Sequence, residues 1–340
     1  MSLAAGRLRP TLSFLVALDP SGEVQNFEVV RGMLRVSRRL SYEEAGRLIA
    51  LTRDMAESEI RRDLRNRVDA SEEALAARLG SLYGVAQKLA QARAAQGALI
   101  IRRPELKVRV EDGRVMVKSL DANAPSRMLV SEMMILANAL AARAAYTQDL
   151  PIIYRAQENT LDPSDEVVRR LAESQTYDPL LFDRVMRNMR RSKLSLFPQP
   201  HAGLGLAAYT QLSSPIRRYA DLVIQRQFAA HIQGHVPPYE REELLEVLAT
   251  AEAAEREIRA IEQQSDRRWV LEYLKQNLSG QTLRGTVIDE GVRGIVVELD
   301  ELFVRGSMGR TRSHTPGERV EVTIDSIDPE EGKLRLREVI

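Results

Sequence analysis

An α+β chain that ends in a small all-β barrel is the fold class the sequence predicts, on three observations. Residues 1–277 mix strand-like alternation with long helical patterns. Glycine- and aspartate-containing turns punctuate those patterns, and no repeat or low-complexity linker separates them. At about Leu278 the pattern turns to short alternating strands alone. The expected domains are therefore 1–277, a mixture of sheet and helices, and 278–340, a barrel.

The opening stretch TLSFLVALDPSGEVQNFEVVRGMLRV reads as a β-meander, with a first strand from Thr11 to Leu18 and a turn at DPSGE. Ser41 and Glu44 form a capping box at the head of a helix. A longer helix follows over SEEALAARLGSLYGVAQKLAQARAAQG, capped by Ser71 and ended by Gly97. The turn EDG joins two strands in ELKVRVEDGRVMVKSL. MLVSEMMILANALAARAAY is apolar on more than one face, which places its helix in a domain centre. DPSDE, from Asp162 to Glu166, supplies a cap and first-turn acids better than it supplies metal ligands. EREELLEVLATAEAAEREIRAIEQQSDRRWVLEYL, rich in alanine, glutamate and arginine, predicts a long amphipathic helix. After Leu278, about five strands in about 60 residues match a closed barrel of the OB type.

Composition narrows the chemistry. The 340 residues are 44% hydrophobic and 29% charged, as in ordinary globular chains. A net charge of +1 means that any nucleic-acid contact must come from local basic patches. No cysteine is present, which excludes disulfides, thiolate metal sites and cysteine nucleophiles and leads us to expect a cytoplasmic protein. No apolar run is expected to span a membrane, and Arg7 and Arg9 break any signal-peptide layout near the N-terminus. No phosphate-loop or nucleophile-elbow motif occurs, and the four histidines lack metal-ligand spacing.

Three stretches carry chemistry. In YTQLSSPIRRYADLVIQRQF, Ser214 reads as an N-cap and Pro215 as the first helical residue. Arg217 and Arg218 then lie in the first turn, the unfavourable end of the helix dipole for a cation. Two readings stand: an anion such as phosphate docks there, or one of the arginines pairs with Asp221. The second stretch sets Glu132 and Asn138 on a helix made for burial, and a buried carboxylate is either salt-bridged or functional. The third is the barrel, a platform for single-stranded nucleic acid or a packing domain. Arg184, Arg187, Arg190, Arg191 and Lys193 form either a solvated face or a phosphate-neutralising one.

HAGLGLAAYTQLSSPIRRYADLVIQRQF resembles the signature of the ribonuclease II (RNB) family of 3′-to-5′ exoribonucleases. The resemblance runs on through RPTLSFLVALDPSGEVQNFEVVRGMLRVSRRLSYEEA, through VSEMMILANALAARAAYTQDLPIIYRAQ and into the barrel. It implies part of an RNB-type catalytic domain followed by an RNA-binding OB-fold barrel. The implied activity is processive, magnesium-dependent hydrolysis of single-stranded RNA to nucleoside 5′-monophosphates. By the same resemblance, Arg217 holds the scissile phosphate and Arg218 is a second phosphate ligand. Tyr42 helps to tell RNA from DNA, Glu132 contacts a ribose, and Glu262 lies where a glutamate affects product release. Ile101 stands where the family clamps bases with an aromatic ring, which weakens the stacking platform. The family's magnesium-binding aspartates are expected outside this chain, in an N-terminal half that would be its partner. The alternative is a non-catalytic RNA-binding protein of the same fold.

Overall fold

The alternation near the N-terminus does build strands. β1 (Leu8–Leu18) and β2 (Val24–Arg35) pair antiparallel, with Phe14 opposite Val29 and Val16 opposite Phe27. Leu12, Phe14, Phe27 and Val29 pack on a core cluster. The Asp19 carboxylate makes the turn by accepting from the backbone N–H groups of Ser21 and Glu23. Hydrogen bonds from the Ser21 hydroxyl and the Glu23 backbone hold the Asp19 carboxyl below its ordinary pKa. Where a meander was expected, the sheet is a two-stranded hairpin among the described residues. The computed structural model describes residues 3–52, 72–162, 165–174, 176–291 and 294–339.

Helix α1 (Tyr42–Leu51) starts in the predicted capping box: Glu44 N–H donates to Ser41 Oγ at 3.1 Å, and Ser41 N–H to the Glu44 carboxylate at 2.7 Å. Helix α2 (Glu72–Ala95) follows; its predicted cap, Ser71, lies outside the described residues. Next come the hairpin β3 (Glu105–Glu111) and β4 (Arg114–Leu120), turned at Asp112 and Gly113, and helix α3 (Pro125–Thr147). β5 (Tyr154–Ala156), α4 (Glu166–Glu173), α5 (Pro179–Asn188) and β6 (Lys193–Ser195) are short. Asp165 caps α4 by accepting from Val167 N–H, as the acids at that point predict. Helices α6 (Tyr219–Ile232) and α7 (Arg241–Asn277) precede the last five strands. These are β7 (Leu283–Gly291), β8 (Gly294–Leu299), β9 (Arg305–Met308), β10 (Arg319–Asp328) and β11 (Lys333–Glu338).

The chain forms two compact units. The first comprises 1–100, 123–159 and 190–252. Its core gathers Ala141, Ala144 and Ala145 of α3, Ile152 and Ile153 beside β5, and Val223, Ile224 and Phe228 of α6. Small alanines let α3 approach its neighbours closely, while Phe228 and the isoleucines fill the remaining volume. By length and composition α3 is apolar enough to cross a membrane, which corrects the expectation that no stretch here reaches that length. Its apolarity has a local cause: the helix buries Leu129, Leu140 and four alanines in the core of this unit, together with Glu132 and Asn138.

The second unit comprises 101–122, 160–189 and 253–340. Strands β7 to β11 close into a barrel in the order β10-β11-β9-β8-β7, with β11 parallel to β9 and the other pairs antiparallel. Val287, Ile295, Val297, Met308, Val322 and Leu336 fill its interior. Leu271 and Leu274 of α7 belong to the same cluster, and Leu106, Val108 and Val117 of the β3–β4 hairpin pack against it.

Candidate functional site

Segment 209–221 lies in the first unit and is fixed from both sides. Asn138 of α3 donates from Nδ2 to the Tyr209 hydroxyl at 2.9 Å, and its Oδ1 accepts from Leu212 N–H at 3.1 Å. Thr210 Oγ1 donates to the Ile153 carbonyl, and Gln225 of α6 donates to the Leu212 carbonyl. Asn138 is thus satisfied by structural bonds, which accounts for a buried amide on an apolar helix. Burial pushes the Tyr209 phenol up, and the bond from Asn138 offsets part of that rise.

The expected helix start is one turn too early. Ser214 to Arg217 form a turn, with Arg217 N–H and Arg218 N–H both donating to the Ser214 carbonyl, and Arg218 is the N-cap residue of α6. Ser214 is not the cap and Pro215 is not helical. The reason is Asp221, which is 1% exposed. Its carboxylate accepts from Ser214 N–H at 2.8 Å and takes the Arg218 guanidinium through Nε at 2.8 Å and Nη2 at 2.6 Å. Of the two readings of the arginine pair, Arg218 follows the ion-pair one. Arg217 does not: its side chain is exposed and has no hydrogen bond or ion pair among the described residues. Beside it, Ile216 is 81% exposed and Tyr219 51%.

Glu132 is a buried carboxylate with a partner that spacing did not reveal. Arg93 near the end of α2 donates from Nε to one Glu132 oxygen at 3.1 Å and from Nη2 to the other. Arg93 Nη1 reaches the Leu204 carbonyl at 3.1 Å. Tyr42, the first residue of α1, is half exposed, with the Arg127 guanidinium 4.9 Å from its ring centre. Its carbonyl accepts from Ser126 Oγ at 2.7 Å. From Ser126 to Asn138, α3 rises about 18 Å. Along that length it meets Tyr42, bears Glu132 and holds the segment that presents Arg217. The structure therefore places Tyr42, Glu132, Arg217 and Arg218 in one unit. Ile101, half-buried ahead of β3, and Glu262, exposed on α7, belong to the other.

A cavity of about 690 Å3 opens beside Glu132 and Arg93, walled by Leu89, Ile135, Leu136 and Leu206. His201, in the loop before segment 209–221, stacks edge-on against Tyr209 at 5.5 Å. Burial drives its pKa down to about 4, and Nδ1 has no hydrogen-bond partner among the described residues. Of the basic cluster, Arg187 pairs with Asp183 at 2.7 Å and Lys193 with Glu158 at 2.6 Å. Among the described residues no three histidine, aspartate or glutamate side chains gather closely enough to hold a metal ion.

Residues 1–234 match the family model of the RNB domain, and residues 281–339 that of the RNase II-type exonuclease C-terminal S1 domain. Over its whole length the chain is 32% identical to an uncharacterized ribonuclease of Synechocystis sp., of which it covers 48%. It is 25% identical to the chloroplastic/mitochondrial ribonuclease II of Arabidopsis thaliana, of which it covers 40%. The chain thus spans about half the length of these relatives, 48% and 40%. Mycoplasma genitalium RNase R, solved in complex with ribose methylated single-stranded RNA, superposes on 99% of the chain with a TM-score of 0.81 and 16% identity, the match covering 59% of that structure. Yeast Ssd1, a pseudonuclease, superposes on 94% of it with a TM-score of 0.61 and 17% identity, over 40% of its own length. At these identities the structural likeness establishes the fold alone.

Proposed function

The chain belongs to the RNB family, and we propose that it forms the RNA-gripping part of an exoribonuclease that shortens single-stranded RNA from the 3′ end. The observation that carries this reading is Arg217. Its neighbour is held by a buried carboxylate, the turn is pinned at Ser214, and its own guanidinium is left exposed and unpaired among the described residues. A cation presented on a rigid support is suited to a phosphate, and it stabilises charge that grows on phosphorus during hydrolysis. Arg218 then acts by shaping the turn, not as a second phosphate ligand.

Glu132 and Tyr42 supply the preference for RNA in this reading. An ionised carboxylate has about four acceptor positions, and Arg93 occupies two of them. The others accept from a ribose 2′-hydroxyl, a donor that DNA lacks. The barrel adds a second contact with the strand, and Glu262 and Ile101 act on the side of the second unit. Magnesium supplies an activated water in such reactions. The described residues do not fit it as a ligand set, so in this proposal its ligands come from polypeptide outside the chain.

The test uses this chain alone, 5′-labelled single-stranded RNA, and magnesium with an EDTA control. Binding without shortening is the expected result. Stepwise shortening in magnesium alone would place a metal site within these residues and overturn the division of labour. Failure to bind RNA at all would sink the reading as a whole.

A further inference from the structure

Arg93 is fastened more thoroughly than an ordinary helical arginine. Helix α2 ends in a Schellman motif, with Gly97 at a φ of 89°. Ala98 N–H donates to the Arg93 carbonyl at 2.9 Å, and Gly97 N–H to the Ala94 carbonyl at 3.0 Å. Gly205, at a φ of 63°, packs against the same turn, where a Cβ would sit 2.7 Å from the Arg93 carbonyl oxygen. No other residue fits that approach without moving the backbone. The Arg93 side chain then leaves this fixed point and makes three donations, two to Glu132 and one to the Leu204 carbonyl. The Arg93 and Glu132 side chains are only 12% and 7% exposed, and both border the cavity of about 690 Å3.

A bidentate fork fixes the plane of a carboxylate as well as its position. It thereby determines where the two unused acceptor positions of Glu132 point. A lysine in the same place would leave that plane free to turn. We infer that Arg93 is the positioning residue that aims the Glu132 carboxylate at a ribose 2′-hydroxyl and so sets the preference of this protein for RNA over DNA. The inference rests on the reading of Glu132 as a ribose contact.

The experiment is fluorescence anisotropy with the full chain and three single-stranded oligonucleotides of one sequence: RNA, DNA and 2′-O-methyl RNA. The wild type binds RNA more tightly than the other two. Glu132→Gln lowers the RNA-to-DNA affinity ratio about tenfold, as the loss of a bond to a charged acceptor implies. Arg93→Met produces the same loss, and Arg93→Lys recovers only part of the ratio. Arg93→Met leaves a buried carboxylate uncompensated and can cost much of the stability. The double variant Arg93→Met/Glu132→Gln removes both charges, keeps the volume and shows the same ratio as either single change, because the pair acts as a unit. If Arg93→Met and the double variant weaken RNA and DNA equally, Arg93 is structural or a phosphate contact and the inference fails. If Arg93→Lys keeps the full ratio, the fork geometry is irrelevant and the inference fails. If Glu132→Gln leaves the ratio unchanged, or the wild type does not discriminate, the underlying reading of Glu132 falls and takes the role of Arg93 with it.

Discussion

At the scale of single residues, the arginine pair shows how two neighbours of one type acquire different duties. Arg218 is bound to Asp221, so Asp221→Ala leaves a largely buried guanidinium uncompensated and frees Ser214 N–H. That change should cost about 3 kcal/mol, read by chemical denaturation. Arg217→Ala touches no such network and should leave the unfolding midpoint unchanged. In RNA-binding titrations it should reduce the slope of log affinity against log salt by about 0.7, one phosphate contact on a single strand. An unchanged slope would remove Arg217 from the phosphate. His201 gives a pH prediction. Burial lowers its folded-state pKa to about 4, below the unfolded value of 6.5. The unfolded chain therefore binds the proton first on acidification. Stability is complete above pH 6.5, declines as pH falls from 6.5 to 4, and levels off below that. In His201→Gln the decline over that window should be shallower in thermal melts. The sequence shows the histidine but not its burial, which is set by Tyr209 and the loop around it.

At the scale of elements, local chemistry was readable wherever the partners lie within a few residues. The capping box of Ser41 and Glu44 is one case, and Ser41→Ala should lower stability by about 1 kcal/mol. Exchange of the first-turn amides of α1 would report it, since Glu44 N–H loses its acceptor. The Asp19 turn, the Asp112–Gly113 hairpin and the Asp165 cap are of the same kind. The sequence pattern sets the start of α6 a turn early because Ser-Pro has the pattern of a cap and a first helical residue, while the group that decides the matter, Asp221, reaches back to Ser214 from inside the helix. A helical pattern shows a carboxylate at that position but not which way it bonds. Arg93 gives no signal in the sequence for a related reason. Its partner is Glu132, on another helix, and periodicity carries no information about pairs brought together by packing. Glu132 stood out because it broke an apolar face; Arg93, on a helix with other charges, broke nothing.

At the scale of the whole molecule, the composition change at Leu278 locates the barrel but not everything that folds with it. The second unit gathers the β3–β4 hairpin and the α4–α5 segment along with the barrel, although both precede it by far in sequence. Two kinds of contact hold the unit together. Leu106, Val108 and Val117 pack on the barrel cluster. A polar network ties α5 to β8 and β9: the Glu298 carboxylate, 2% exposed, accepts from Arg305 Nε at 2.8 Å and from the Tyr177 hydroxyl at 2.7 Å. Arg305 Nη1 reaches Asp183 at 2.6 Å. Burial, reinforced by the bond to Glu298, pushes the Tyr177 phenol well up, so it stays a donor across the working pH range. Glu298→Gln keeps the volume but weakens both bonds, at a cost of about 2 kcal/mol. If the unit is one cooperative block, that cost is shared by every part of it. Hydrogen exchange should then quicken by a similar factor in the barrel strands, in β3–β4 and in α5, about thirtyfold for that free energy where exchange proceeds by opening of the whole unit. Amides of α3 and α6, in the other unit, should keep their rates. If the quickening stayed within β8 and β9, the barrel would be an independent module with the hairpin and α5 resting on it, and a truncation at Leu278 would leave the remainder folded. If it spread through the unit, the same truncation should strip Leu106, Val108 and Val117 of their cover and give a chain that aggregates.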